Sequence, residues 1–144
     1  MSRLQETKRA YDKLAELLDQ EIRRRRGSAR ELERFREILN TAFYVLGWGQ
    51  FEYLVRNEAE ERIDDNARTK TDATHAWNYL KENIKNFSVR HRLEFIFHGK
   101  HDLVSALQKD YTVRNEAIHD YKLPREAKDV SVWLATLEQL IDRF

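Results

Sequence analysis

The sequence predicts an all-α protein, a bundle of about four to six helices. Apolar residues recur at spacings of three and four along most of the chain, and no segment alternates with the period of two that is typical of a strand. Turn-forming residues are scarce, with 4 Gly and 1 Pro among 144 residues. Such a composition does not suit the many turns of a β-sandwich or barrel. The length is that of one domain, so we expect residues 1–144 to form a single helical bundle.

The composition excludes several classes of protein. The absence of cysteine rules out disulfide scaffolds, thiolate zinc sites and cysteine nucleophiles. The 41% of hydrophobic residues argues against disorder. No apolar run approaches the ~20 residues of a membrane span, and the first residues lack the apolar core of a signal peptide. We therefore expect a cytoplasmic protein with no membrane partner. A net charge of +1 is unlike that of a strongly basic nucleic-acid binder.

Two helices are predicted in the first half of the chain, over residues 3–26 and 29–64. An arginine run followed by Gly27 is a typical end for the first helix. The apolar face of this helix is expected to pack against the last helix and consists of Leu4, Tyr11, Leu14, Leu18 and Ile22. Ser28, with Glu31 three residues later, forms a capping box for the second helix. We expect that helix to face Trp133 and Leu137 of the last helix with a stripe made of Leu32, Phe35, Leu39, Phe43 and Leu46.

Two glycines, Gly47 and Gly49, lie inside the second predicted helix. A glycine costs about 1 kcal/mol relative to alanine in a helix interior, so two of them indicate either a packing requirement or a break. We interpret the segment as one long helix in which the glycines let another backbone approach closely. A kink or a short loop at Gly47 is the alternative.

The second half of the chain predicts a polar connection over residues 64–71 and then four shorter helices. Their predicted starts are Asp72 as a cap, Ser88 as a cap, Asp102 as a candidate cap and Pro124 in a first turn. Their apolar positions at helical spacing include Trp77, Leu80, Leu93, Leu103, Leu107, Val130, Trp133, Leu137 and Leu140.

One stretch carries residue types suited to chemistry, namely Tyr111-Thr-Val-Arg114-Asn115-Glu-Ala-Ile-His119-Asp120-Tyr121. It resembles the signature of the HEPN superfamily, in which an arginine and a polar residue, often asparagine, precede a histidine just before the last helix. The long segment Ala42–Glu52 also looks like the hydrophobic helix of toxin-like members. The resemblance covers most of the chain loosely, and only the Arg-Asn…His element is specific.

The resemblance implies a metal-independent endoribonuclease that acts as a toxin or an antiviral defence effector. It implies Arg114, Asn115 and His119 as catalytic residues, with Asp120 and Tyr121 in supporting positions, and neither a metal nor a cofactor. The implied partners are an RNA substrate, a second copy that pairs its motif across a homodimer cleft, and an antitoxin such as a minimal nucleotidyltransferase.

The residue types fit this chemistry. Attack of an RNA 2′-hydroxyl on the adjacent phosphorus needs a base, an acid and positive charge. Histidine transfers protons near neutral pH, and the arginine fork matches phosphate oxygens. On an ideal helix Asn115 and His119 are one turn apart and share a face, whereas Arg114 and His119 differ by about 140°. A second copy of the chain would resolve this mismatch.

Simpler interpretations of the same residues stay open. Asp110 and Arg114 could form a surface ion pair, and His119 could only meet the dipole at a helix end. The chain could also be a non-catalytic HEPN-like module that binds a nucleotide or a partner protein, or a plain oligomerisation domain. His98 and His101 enclose a glycine and lack a zincin-type carboxylate pattern, so we expect no metal site there.

Overall fold

The computed structural model describes residues 3–24, 29–124 and 129–144, and these ranges contain helices and no strand. The all-α prediction is therefore confirmed. No helix in these ranges combines the length and the apolar character that crossing a membrane would require. The α-helices are α1 (Arg3–Arg24), α2 (Arg30–Arg68), α3 (Thr74–Asn83), α4 (Val89–Ile96), α5 (His101–Asp120) and α6 (Val130–Ile141), and a 3-10 turn spans Ile84–Asn86.

Packing divides the described residues into two compact units. The first unit comprises the residues up to Phe51 together with Asp110–Arg143, and the second comprises Glu52–Lys109 together with Phe144. Helices α2 and α5 each contribute residues to both units, whereas α1 and α6 belong to the first and α3 and α4 to the second. A single domain over residues 1–144 stays a prediction.

The core of the first unit is aromatic. The rings of Tyr44 and Trp133 stack with centroids 3.8 Å apart and planes 7° apart. Trp48 lies beside Trp133 and Tyr111, at centroid distances of 6.4 and 5.8 Å. Trp48, Trp133 and Leu134 are completely buried. Large side chains removed from water in this way each contribute roughly 1.5–3 kcal/mol.

Helix α2 runs without interruption through both glycines. The long-helix interpretation is therefore confirmed, and the alternative of a break at Gly47 is wrong. A Cβ atom on Gly47 would overlap Leu134 Cδ2 and lie 3.3 Å from Trp133 Cζ3, so only glycine fits there. Gly49 is exposed, and a Cβ atom there would meet no described neighbour within 4 Å. A close packing requirement thus applies to Gly47 alone, and the neighbours it admits are side chains of α6 rather than the expected backbone, whereas Gly49 faces open space.

The core-facing stripe predicted for α2 is wrong in its position around the helix. Phe35 and Leu46 are each 46% exposed, whereas the predicted partners Trp133 and Leu137 are buried as expected. Of the stripe predicted to face inward on α1, Leu4 and Tyr11 are buried as expected, whereas Leu14 is exposed. The close seat of Gly47 on Leu134 and the stacking of Tyr44 on Trp133 turn the opposite face of α2 inward. The buried residues of α2 are Tyr44, Gly47, Trp48, Phe51, Val55, Ala59 and Ile63.

The helix boundaries agree with the predictions in part. Ser88 caps α4 as expected, because its hydroxyl accepts a hydrogen bond of 3.2 Å from the His91 backbone N–H. Helix α2 continues past residue 64 to Arg68, supported by ion pairs between Arg62 and Glu58 and between Arg68 and Asp64. The polar segment expected there as a connection is therefore partly helical, because residues four apart can pair along a helix.

Two predicted caps are wrong, and others lie outside the described residues. Helix α3 follows Ala73 without a side-chain cap, so Asp72 does not cap it. Asp102 lies within the first turn of α5, where its charge still complements the helix dipole. Gly27 and Ser28 are outside the described ranges, and the predicted start at Pro124 leads into residues 125–128, which are outside them as well. Asp129 caps α6 by accepting from the Val132 backbone N–H at 3.1 Å.

Candidate functional site

The Arg-Asn…His element lies in the last turns of α5, within the first unit. The helix continues through His119 to Asp120 and ends at Tyr121, whose φ of 56° is in the left-handed region. Ala117 is buried, Arg114 and Asn115 are half-buried, and His119 is exposed. The motif therefore spans the helix from its packed face to its solvent face.

Arg114 and Asn115 are in direct contact. Arg114 Nη1 donates a hydrogen bond of 2.9 Å to Asn115 Oδ1. Arg114 Nε is buried and has no hydrogen-bond partner among the described residues. The asparagine therefore orients the guanidinium, while part of the donor capacity of the arginine is unused. An oriented guanidinium is suited to an anionic oxygen, which its terminal nitrogens can bind, whereas the buried Nε is not accessible to a ligand.

His119 lies one helical turn after Asn115 and does not meet Arg114. Because α5 is helical through both residues, Arg114 and His119 point about 140° apart, as the ideal geometry predicts. The imidazole of His119 is exposed and makes no hydrogen bond to another described residue. One chain thus presents an Arg–Asn pair beside an accessible histidine, and its arginine and histidine do not converge.

Asp120 and Tyr121 end the helix beside His119. Both are exposed, and Tyr121 is 85% exposed. Neither forms a hydrogen bond to Asn115 or His119 in the described part of the chain. Their supporting role in the site stays a prediction.

A buried carboxylate lies one turn before Arg114 on α5. Asp110 is 6% exposed, and its Oδ2 accepts a hydrogen bond of 3.1 Å from Trp133 Nε1. The Tyr44 hydroxyl donates to the Asp110 backbone oxygen at 3.4 Å. Burial, and secondarily the Asp110 charge, raises the pKa of the Tyr44 phenol. Asp110 therefore does not lie at the surface, where the ion-pair interpretation placed it, and it anchors the motif-bearing turn to α6.

Sequence reasoning did not assign this role to Asp110. A signal for it exists, because Asp110 precedes Arg114 by one turn and therefore shares its inward face, where a buried carboxylate requires a donor. The donor, the indole of Trp133, comes from the next helix. No local pattern links these two residues.

Two further observations bear on the chemistry of the site. In the described ranges, no three side chains of His, Asp or Glu lie close enough together to hold a metal ion. In comparisons with known proteins, no protein-family model, no curated protein and no solved structure matches the chain.

Proposed function

We propose that the chain is a metal-independent endoribonuclease of HEPN type, acting in the cytoplasm as a toxin or antiviral defence effector. The observation that carries this proposal is the Arg114–Asn115 hydrogen bond in the turn that precedes the exposed His119. This contact supports a role for Arg114 as an oriented, positively charged group that binds a phosphate. It lies next to His119, which can transfer a proton.

The reaction is an internal transfer within the RNA. A histidine removes the proton of the 2′-hydroxyl, the 2′-oxygen bonds to the adjacent phosphorus, and the bond to the 5′-oxygen breaks. A second proton donor protonates the leaving 5′-oxygen, which yields a 2′,3′-cyclic phosphate and a 5′-hydroxyl. Arg114 stabilises the charge on the phosphate oxygens, and Asn115 holds the guanidinium in position.

A homodimer supplies the second proton-transfer group. The 140° between Arg114 and His119 leaves one chain with an incomplete site. The exposed side chains of Ile118 and Tyr121 flank His119 and offer apolar surface for a second copy. Two copies of His119 then serve as base and acid. An antitoxin, such as a minimal nucleotidyltransferase, would silence the enzyme by covering this end of α5.

Cleavage of a labelled single-stranded RNA tests the proposal. We expect His119→Ala to slow cleavage by about 10²–10⁴-fold, because a positioned proton-transfer group contributes that much. Arg114→Lys keeps the charge but loses the planar fork, so it should also be strongly impaired. Asn115→Ala should lose less cleavage activity than the other two variants. The wild type should still cleave RNA in EDTA and should not cleave DNA. His75→Ala, which changes an exposed histidine on α3, is the matched control.

Two outcomes would contradict the proposal. A folded His119→Ala variant that cuts as fast as the wild type would remove His119 from the chemistry. If the wild type cuts no RNA, the alternative applies, and the chain is a non-catalytic HEPN-like module that binds a nucleotide or a partner protein. Circular dichroism verifies the fold of each variant.

A further inference from the structure

The second unit contains a cleft that the proposed ribonuclease chemistry does not use. Its volume is about 310 Å³, and it is lined by Arg62 and Asn66 of α2, Trp77 of α3, Phe95 of α4 and His98. Small-molecule sites begin at about 300 Å³ and combine apolar walls with a few polar groups. The cleft therefore has the size and the mixture of side chains of a site for a small planar molecule.

The walls of the cleft are aromatic. Trp77 and Phe95 meet edge to face, with ring centroids 6.4 Å apart and planes 82° apart. Both side chains are half-buried, so the pair is held in place and still accessible from the cleft. Aromatic faces of this kind bind nucleobases by stacking.

The polar groups of the cleft have defined hydrogen-bonding roles. Asn66 Nδ2 donates to the Arg62 backbone oxygen at 2.7 Å, which leaves the Oδ1 of this exposed residue as an acceptor. His98 Nδ1 lies 3.2 Å from the Phe95 backbone oxygen. A carbonyl oxygen only accepts, so Nδ1 donates in this contact, and Nε2 of that Nδ1–H tautomer is an acceptor. The cleft thus offers two acceptors beside its aromatic rings.

Arg62 supplies positive charge at the cleft. Its Nε donates to Glu58 Oε1 at 2.7 Å, which fixes the side chain, and its guanidinium lies 5.9 Å from the centroid of the Phe144 ring. The terminal nitrogens of the guanidinium remain as donors for a phosphate oxygen.

From these groups we infer that the cleft binds a nucleobase carrying an exocyclic amino group, stacked on Trp77 with Phe95 against its edge, and with its phosphate near Arg62. The two acceptors match the two N–H bonds of an exocyclic amino group in adenine, cytosine or guanine, whereas uracil offers them only its single N3–H. The ligand can come from a free nucleotide or from single-stranded RNA, since both carry the same base and phosphate. This inference goes beyond the proposed activity, because none of its residues belongs to the Arg114–His119 site.

Tryptophan fluorescence offers a direct measurement. Trp48 and Trp133 are fully buried, so a base that stacks in the cleft should quench mainly Trp77. The titrations use AMP and the RNA octamers oligo(A), oligo(C) and oligo(U), with the His119→Ala variant so that cleavage is slow during the measurement. We expect saturable quenching by oligo(A) and oligo(C) and at least fivefold weaker binding of oligo(U). Quenching by AMP as well identifies a nucleotide site, and quenching by octamers alone identifies an RNA site.

Variants in the same background assign the binding to the cleft, with fluorescein-labelled oligo(A) and anisotropy as the readout. Trp77→Leu should weaken binding by roughly tenfold or more, the usual loss for a stacking side chain. His98→Leu, at an exposed position, should reduce the preference for oligo(A) over oligo(U). His75→Leu, an exposed histidine on α3 outside the cleft, should bind as the background does.

The inference is overturned if Trp77→Leu and His98→Leu both bind like His75→Leu, or if oligo(U) binds as tightly as oligo(A). Its failure is distinguishable from failure of the proposed function. Binding that depends on Trp77 in a protein that cuts no RNA supports the cleft and rejects the ribonuclease. The opposite result is cleavage that depends on His119 while Trp77→Leu and His98→Leu bind RNA as tightly as His75→Leu does. That result supports the ribonuclease and rejects the cleft.

Discussion

At the scale of single residues, Tyr121 has a backbone conformation that its side chain does not favour. Its φ of 56° lies in the left-handed region, which costs a non-glycine residue roughly 1–2 kcal/mol. The ring is 85% exposed, so packing returns little of that cost. The position follows the last residue of α5, where helices commonly carry glycine.

We predict that Tyr121→Gly raises the free energy of unfolding by about 0.5–1 kcal/mol, because glycine adopts this conformation without strain. Urea denaturation measures the change. Tyr79→Gly is the matched control, since Tyr79 is also an exposed tyrosine but lies inside α3, where glycine should cost about 1 kcal/mol. A loss of stability in Tyr121→Gly similar to that in Tyr79→Gly would contradict the argument from backbone strain.

Asp110 is the residue that connects the candidate site to the core. Its carboxylate accepts from the buried indole of Trp133, and its backbone oxygen accepts from Tyr44. A buried donor left without its acceptor costs about 1–3 kcal/mol, so this contact fixes the turn that precedes Arg114. The position of the candidate catalytic arginine therefore depends on packing in the first unit.

At the scale of helices, the two glycines of α2 should respond to alanine in opposite ways. Gly49→Ala should raise the free energy of unfolding by about 1 kcal/mol, because alanine favours the helix and its methyl group meets only open space. Gly47→Ala should lower it by roughly 1–3 kcal/mol, because the methyl group would overlap Leu134. Thermal and urea denaturation of the two variants check this pair of changes. Equal effects would mean that Gly47 does not seat α2 against α6.

The contact between α1 and α6 should depend on pH through Asp12. Its carboxylate accepts from Lys8 Nζ and from Ser131 Oγ, each at 2.6 Å. Partial burial alone would raise the pKa of Asp12, but these two hydrogen bonds lower it, and the net direction is down. A lowered folded-state pKa means that the stabilisation is present above the unfolded value of about 4 and is lost as the pH falls through the folded-state pKa.

We predict that Asp12→Asn lowers the free energy of unfolding at pH 7 by a few tenths to about 1 kcal/mol. The effect is modest because the side chain is 40% exposed and solvent screens its charge. Urea denaturation at pH 7 and pH 3 should show a smaller difference between variant and wild type at the lower pH. The exposed residue Asp65 provides the control variant Asp65→Asn. A difference that grows as the pH falls would refute the assignment.

At the scale of the whole molecule, the proposed ribonuclease requires two chains. We predict that sedimentation at micromolar concentration gives twice the chain mass and that the pH–rate profile is bell-shaped, with one His119 as base and the other as acid. Ile118→Glu places a charge on the apolar surface beside His119. It should shift the protein toward the monomer and reduce RNA cleavage in parallel. Val132→Glu, an exposed apolar position on α6, is the control. A strict monomer that still cleaves RNA would exclude the shared site.

Local features of the chain were predictable from the sequence. The Ser88 cap, the uninterrupted α2 and the shared face of Asn115 and His119 all follow from hydrogen bonds and spacings within a few residues. The local geometry of the candidate site was predictable for the same reason. Its residues lie on the expected helix, and the separation between Arg114 and His119 follows from helix geometry.

The sequence by itself determined the helices and their order, because capping and periodicity act between neighbours along the chain. Only the tertiary structure decided which face of α2 is buried, since one face carries Phe35 and Leu46 and the other carries Tyr44 and Trp48. Apolar residues recur at helical spacing on both faces, so the spacing alone does not identify the buried face. The contacts of Gly47 with Leu134 and of Asp110 with Trp133 selected the arrangement, and these residues are too far apart in sequence for any local pattern to pair them.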